Sequence, residues 1–242
     1  MSEDRGEGPR GLLFVPGLGL DSREWYGVLR CLNDQTAAAT DPASVVLLPS
    51  LGQRAPRGTE LRVEALAERL ANVVQPGAVL VGHSAGCAVA IEIAARSTSV
   101  AGLVLVGPAT DPRAATWPRL ITQLIRTAVH EHWWEAPILL PQYFSTGLGS
   151  MARGMNAVRS FRSDRAIART SVPVAIVHGS RDRIAPYDWC SQLAEAAGGQ
   201  AFVTSVPGAA HMVPITHPEA IAVAVQAIQA RFTQPITNEG AE

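Results

Sequence analysis

The sequence predicts an α/β fold: a mostly parallel sheet of about six strands with helices on both faces and a helical cap insert. Three observations point there. Short apolar runs rich in valine and leucine alternate with amphipathic segments, as βαβ units do when a sheet is buried on both sides. Hydrophobic residues make up 47% of the 242 residues and mean hydropathy is +0.13, which suits one domain with a sizeable core and argues against disorder. The alternation is interrupted once, by about sixty residues without a strand, a stretch too long for a structureless loop.

Taken in order, residues 1–10 (MSEDRGEGPR) are charged and glycine-rich and read as an N-terminal tail. Gly11–Val15 is the first strand and Ser44–Leu48 the second. Leu66, Leu70 and Val73 fall at helical spacing before the third strand, Ala78–Val81. A helix-like run from Cys87 to Ala94 separates it from the fourth, Gly102–Val106. The insert occupies 110–170. Within it Pro118 suits a first helical turn, and Leu120, Leu124 and Ala128 with Ile121, Ile125 and Val129 form a broad apolar face. Val174–His178 and Ala201–Ser205 complete the strands, and Ile221, Val225, Ile228 and Phe232 mark the last helix. The core domain is therefore 11–109 with 171–232, and 233–242 is a C-terminal tail.

Composition excludes several functions. The 20 basic and 21 acidic residues leave a net charge of -1, no footprint for nucleic acid or an anionic membrane, so a small-molecule partner is expected. Every basic residue other than histidine is arginine; with no lysine there is no Schiff base and no phosphate-loop lysine, and no cofactor is called for. The start lacks the apolar stretch of a secretory signal, and the longest apolar run, Val100 to Ala109, is too short to span a bilayer. Cys31, Cys87 and Cys190 are widely spaced and odd in number, which reads as reduced thiols in a cytoplasmic protein. His130 and His132, two apart, would point to different faces of a helix, so no metal site is expected. Nothing in the sequence fixes the oligomeric state.

The chemistry concentrates in three places. Gly82-His83-Ser84-Ala85-Gly86 lies between a strand and a helix, the setting of a nucleophile elbow, a sharp turn that thrusts the serine out at the top of the sheet. A chance pattern in a glycine-rich chain would not need that position. A serine hydroxyl is a weak nucleophile, so a histidine and a carboxylate must follow. Asp182, in the loop after Val174–His178, supplies the carboxylate, with Asp188 as the rival; His211, in Gly208-Ala209-Ala210-His211 after the last strand, supplies the base. The remaining histidines have plainer readings: His217 opens the last helix, His178 is packed, and His83 is a variable position of the elbow.

These motifs, with Phe14-Val15-Pro16-Gly17-Leu18-Gly19-Leu20-Asp21-Ser22-Arg23-Glu24-Trp25 and His217-Pro218, resemble the α/β-hydrolase family from Gly11 to about Phe232. The chain is most similar to small capped bacterial hydrolases, which include carboxylesterases, enol-lactonases and C-C bond hydrolases. The resemblance implies an α/β-hydrolase fold and an oxyanion hole built from the backbone N–H groups of Leu18 and Ala85. Pro16 stands where a histidine before the glycine is common in the family, which bears on the posture of the loop but not on either donor.

The resemblance also implies that the insert covers the serine and shapes a pocket. It carries Trp117, Trp133, Trp134, Tyr143 and Phe144, five of the chain's thirteen aromatic residues, which suggests a hydrophobic or aromatic substrate unless the rings merely pack the cap onto the body. Eight arginines against four acidic residues between Asp111 and Thr170 read as a solvated helix face rather than as an anion site. The expected activity is hydrolysis of a small ester, thioester or lactone through an acyl-enzyme on Ser84. C-C bond cleavage, perhydrolysis, cyclisation, or a receptor that keeps the pocket with little turnover stay open as alternatives.

Overall fold

The computed structural model describes residues 11–35 and 43–233, so the expected tails, apart from residue 233, lie outside the described residues. Six parallel strands form the main sheet: β1 (Leu12–Val15), β2 (Ala43–Val45), β5 (Ala78–His83), β6 (Val100–Val106), β7 (Val174–Gly179) and β8 (Ala201–Val206). Their order is β2-β1-β5-β6-β7-β8, so the direction of winding reverses at β1. In such sheets sites collect beyond the carboxyl ends of the strands near that reversal.

Alternation along the strands divides the core into two layers. Leu13, Val15, Leu80, Leu103, Leu105 and Ile176 face α2 (Val63–Ala71), α3 (Ala85–Arg96) and α8 (Tyr187–Ala196). Their neighbours Leu12, Phe14, Val79, Val81, Val104 and Val177 face α1 (Tyr26–Gln35) and α10 (Pro218–Thr233). The inner strands are apolar throughout because neither face sees water. Each fully buried leucine or isoleucine contributes about 1.5–3 kcal/mol, so a single polar residue there would be felt.

The edge of the sheet departs from expectation. Ser44–Leu48 is not one strand: β2 stops at Val45, and Leu48–Pro49 (β3) pairs instead with Gly52–Gln53 (β4). Pro49 has no N–H to extend a ladder, and Ser50, at φ 68°, turns the chain back.

Between β6 and β7 the chain forms α4 (Trp117–Ala128), α5 (Ala136–Thr146), α6 (Leu148–Val158) and α7 (Ser163–Ile167). Ala166 and Ile167 of α7 are buried in the main core, as is Val158 at the end of α6. The helix α4 differs from its sequence reading. Of its apolar face only Leu120 is buried; Ile121, Leu124, Ile125 and Val129 are exposed, and the other buried residue of α4 is the polar Thr127. The reason is an anchor through polar contact, in which the Thr127 hydroxyl accepts the Arg183 N–H at 3.0 Å. A short helix, α9 (Val213–Thr216), follows β8. Among the described residues no helix is long and apolar enough to cross a membrane.

Candidate active site

Ser84 sits where β5 meets α3 with φ 50° and ψ -116°, a left-handed conformation rare for a side-chain-bearing residue. Close packing of the turn enforces it. A Cβ on Gly86 would lie 2.5 Å from the Val15 carbonyl oxygen, and one on Gly82 would lie 2.8 Å from Cys87 Cα. The Ser84 N–H donates to Val106 O at 2.8 Å and its carbonyl accepts from Cys87 and Ala109, so the strained residue is tied on both sides.

The loop after β7 brings Asp182 to His211. Asp182 Oδ2 accepts from His211 Nδ1 at 2.7 Å, while Oδ1 accepts the N–H groups of Ile184 at 2.7 Å and Ala185 at 3.1 Å. Burial alone would raise this carboxyl. The charge and hydrogen bond of His211 and the two backbone donors hold it below the usual carboxylate range. For His211 burial works the other way and would lower the imidazole, but the charge and hydrogen bond of Asp182, with the charges of Glu131 and Glu24, lift it above its ordinary 6.5. With Nδ1–H donating to Asp182, Nε2 is left to act as a base. Gly107, at φ 51°, lets β6 pass beneath the pair: a Cβ there would stand 3.1 Å from the His211 ring and 3.4 Å from Asp182 Oδ2. Asp188 is elsewhere, exposed on α8 and paired with Arg113 at 2.7 Å.

Ser84 and His211 are linked through His83, the last residue of β5. His83 Nε2 donates to the His211 carbonyl at 3.1 Å, and the two rings lie 4.9 Å apart. On its other side His83 Nδ1 meets Glu24 Oε1, and Glu24 Oε2 accepts the Gly17 N–H at 3.0 Å. A buried chain thus runs from the loop after β1, through Glu24 and His83, to His211. It fixes Gly17 so near Ser84 that a Cβ on it would lie 3.4 Å from the serine Cβ. Gly19 N–H donates to Ser50 O at 2.9 Å, so Leu18 is held between two anchored neighbours beside the nucleophile. Ala85 is the first residue of α3 and its N–H has no helical acceptor.

A second carboxylate reaches His211 from the inserted segment. Glu131 Oε1 accepts the N–H of His211 at 2.7 Å and of Met212 at 3.2 Å. Burial pushes the Glu131 carboxyl up to about 7, and the charge of Glu135 adds to that push. Both glutamates line a cavity of about 580 Å³ that touches His211 and is otherwise walled by apolar side chains such as Leu124, Leu139, Ile184 and Met212. Of the five aromatic residues singled out from the sequence, Trp133 and Tyr143 line this cavity. The others do not: Trp117 lies in a separate cleft under the Arg159 guanidinium, Trp134 stacks on His132, and Phe144 is exposed. No arginine lines the cavity among the described residues, so the arginine excess of the insert does not face it.

Sequence reasoning passed over Glu24, Glu131 and Glu135, and read His83 as variable. Glu24 stands in the Phe14–Trp25 segment, after the first strand, a position that marks it as a candidate. Glu131 holds backbone N–H groups, a role with no sequence spacing to reveal it. Among the described residues no group of three or more histidine, cysteine or carboxylate side chains could hold a metal ion.

The profile of the alpha/beta hydrolase family matches residues 12–224. The chain belongs to that family. No curated protein matches the sequence. Among solved structures, this alpha/beta hydrolase is similar to an esterase from Thermogutta terrifontis with malate bound, at 20% identity and TM-score 0.69 over 93% of this chain and 90% of that one. It is similar to MenH from S. aureus, at 14% identity and TM-score 0.69 over 96% and 98% of the two chains. A serine hydrolase involved in carbazole degradation follows the same course at 18% identity and TM-score 0.67, over 93% and 92%. At these identities the likeness shows the α/β-hydrolase fold and leaves the reaction to the site.

Proposed function

We propose that the chain is a serine hydrolase that cleaves a small ester, thioester or lactone through an acyl-enzyme on Ser84. The observation that carries this reading is the convergence of the strained Ser84, at φ 50°, with a His211–Asp182 pair bonded at 2.7 Å, through His83. His211 Nε2 takes the serine proton as the hydroxyl attacks the carbonyl, then returns it to the leaving group; water repeats the sequence to free the acid. Asp182 orients the imidazole and stabilises its protonated form. Negative charge growing on the substrate oxygen is met by the N–H groups of Leu18 and Ala85, each worth about 3 kcal/mol in the transition state.

The segment 110–170 acts as the cap over a core of 11–109 and 171–232, and the cavity under it receives an apolar part of the substrate. Its volume falls within the usual range for small-molecule sites. No cofactor or metal enters the mechanism. Cys31, Cys87 and Cys190 are unpaired, which supports a reducing compartment such as the cytoplasm. The reading is tested by mixing the enzyme with a p-nitrophenyl ester and following the first turnover. A burst of one equivalent of p-nitrophenol per active site is expected, and a Ser84→Ala protein that kept the burst would refute it.

A further inference from the structure

We infer that the substrate of this site carries a cationic nitrogen, received between the carboxyls of Glu131 and Glu135 and the rings of Trp133 and Tyr143. The inference rests on the serine-hydrolase reading above and adds to it the class of substrate.

The starting point is an unmatched oxygen. Glu135 is only 1% exposed; one carboxylate oxygen accepts the His132 N–H at 2.9 Å, but Oε2 has no hydrogen-bond partner. A buried carboxylate oxygen without a donor is unfavourable, and native proteins rarely leave one so. Its neighbour Glu131 has already committed Oε1 to the two backbone N–H groups of the His211 loop. Two carboxyls therefore meet in the cavity wall, and among the described residues no guanidinium lines it. The sequence holds no lysine to do so either. The ring of His132 is engaged elsewhere, stacked on Trp134 at 5.8 Å.

Burial, with the charge of Glu135 adding to it, pushes the Glu131 carboxyl up to about 7, so near neutral pH this carboxyl holds a proton part of the time. An ammonium group supplies donors and a full positive charge. It favours the ionised form of Glu131, whose proton leaves to solvent. The walls suit such a group. Tyr143 feels Glu24, Glu131 and Glu135 together, and burial with these charges pushes its hydroxyl up to about 12, so the ring stays neutral in a negative field. Trp133 lines the cavity and is 88% exposed, so an aromatic ring is accessible to a cation there. The apolar remainder of the cavity takes the carbon skeleton that bears the nitrogen. An anionic group would meet two carboxyls and no counter-charge.

The experiment uses the intact enzyme and two pairs of probes. For binding, phenethylamine and its near-isostere phenethyl alcohol are titrated calorimetrically into the wild type and into Ser84→Ala at pH 7, in buffers of different ionisation enthalpy. The amine is expected to bind at least about tenfold more tightly and to release part of a proton. The groups facing the amine that could exchange that proton are Glu131, Glu135, Tyr143, His132 and His211, and Glu131→Gln should abolish the release. For turnover, kcat/KM is compared for an aminoalkyl ester and its neutral alkyl isostere at pH 8. The ratio is expected to favour the amine about tenfold or more and to fall toward one in Glu135→Gln. Equal affinity for amine and alcohol, or a preference for a carboxylate-bearing ester, overturns the inference. If Glu135→Gln does not fold, the wild-type binding and proton release still decide it. Loss of turnover on both esters with tight amine binding would instead sink the serine-hydrolase reading, so the two failures are told apart.

Discussion

Two carboxylates hold His211, one from the sheet and one from the inserted segment, and they are built in opposite ways. Asp182, on the loop after β7, is surrounded by three donors, and these overcome burial to keep it charged. Glu131, after α4, meets two backbone donors and the like charge of Glu135, and there burial wins and carries it up to about 7. The more deeply buried carboxylate is thus the more acidic of the two, because the sign of the neighbours outweighs depth. Their tasks differ too. Asp182 fixes the side chain and tautomer of His211, whereas Glu131 fixes the backbone that carries it and ties it to the inserted segment.

The comparison breaks most visibly at Asp182. Asp182→Asn removes the charge opposite the forming imidazolium and favours the wrong tautomer, so kcat is expected to fall on the order of 10³–10⁴-fold. Asp188→Asn should change it by less than about twofold, because that residue only pairs with Arg113 at the surface. Steady-state kinetics on one activated ester checks both; a reversed order would place the orienting carboxylate on α8.

Glu131 gives a smaller effect of a different kind. Glu131→Ala leaves the N–H groups of His211 and Met212 without acceptors, costing about 1–3 kcal/mol, and should lower kcat roughly 10–100-fold. Glutamine keeps an acceptor and should recover most of that loss on a neutral ester. If alanine and glutamine behave alike, the carboxylate acts through charge rather than position.

The pH profile sharpens the contrast. His211 serves as base only when neutral, and Asp182 lifts it above 6.5, so kcat/KM should rise with pH through a midpoint above 6.5, about tenfold per unit below it. In the residual activity of Asp182→Asn the largest part of that lift is gone and the midpoint should move down. An unchanged midpoint would mean that another group controls the profile.

The smallest effect separates the aromatic residues. Trp133→Ala, at the cavity rim, should raise KM for a bulky ester by about threefold to tenfold with kcat little changed, while Phe144→Ala should alter neither. Equal losses in both would show that the rings support the fold instead.

Much of this was legible in the sequence for identifiable reasons. The six strands could be read because inner parallel strands are apolar on both faces, as in Val79-Leu80-Val81 and Leu103-Val104-Leu105. That Ser84, Asp182 and His211 lie at one end of the sheet could be read because each follows the carboxyl end of a strand. The second strand was misjudged since an edge strand has no buried pattern to mark its end. The cap was harder. The apolar spacing of α4 predicts a buried face, yet its anchor is Thr127, and the aromatic residues of the segment scatter between cavity, cleft and solvent. Glu24, His83 and Glu131 escaped because their partners are backbone groups or residues distant in sequence, and only the folded chain brings them together.

The most direct test of the account is the chemistry of Ser84 itself. Intact-protein mass spectrometry after treatment with a fluorophosphonate should show one adduct, mapped to Ser84, with parallel loss of ester turnover. Ser84→Ala should bind no label and lose turnover by on the order of 10⁴-fold or more, and adding His211→Ala should cost little further because the groups act as a unit. Alanine relieves a strained site without stranding a partner, so its thermal midpoint should be unchanged or slightly raised. A folded Ser84→Ala protein that kept substantial turnover, or a label that mapped elsewhere, would contradict the mechanism.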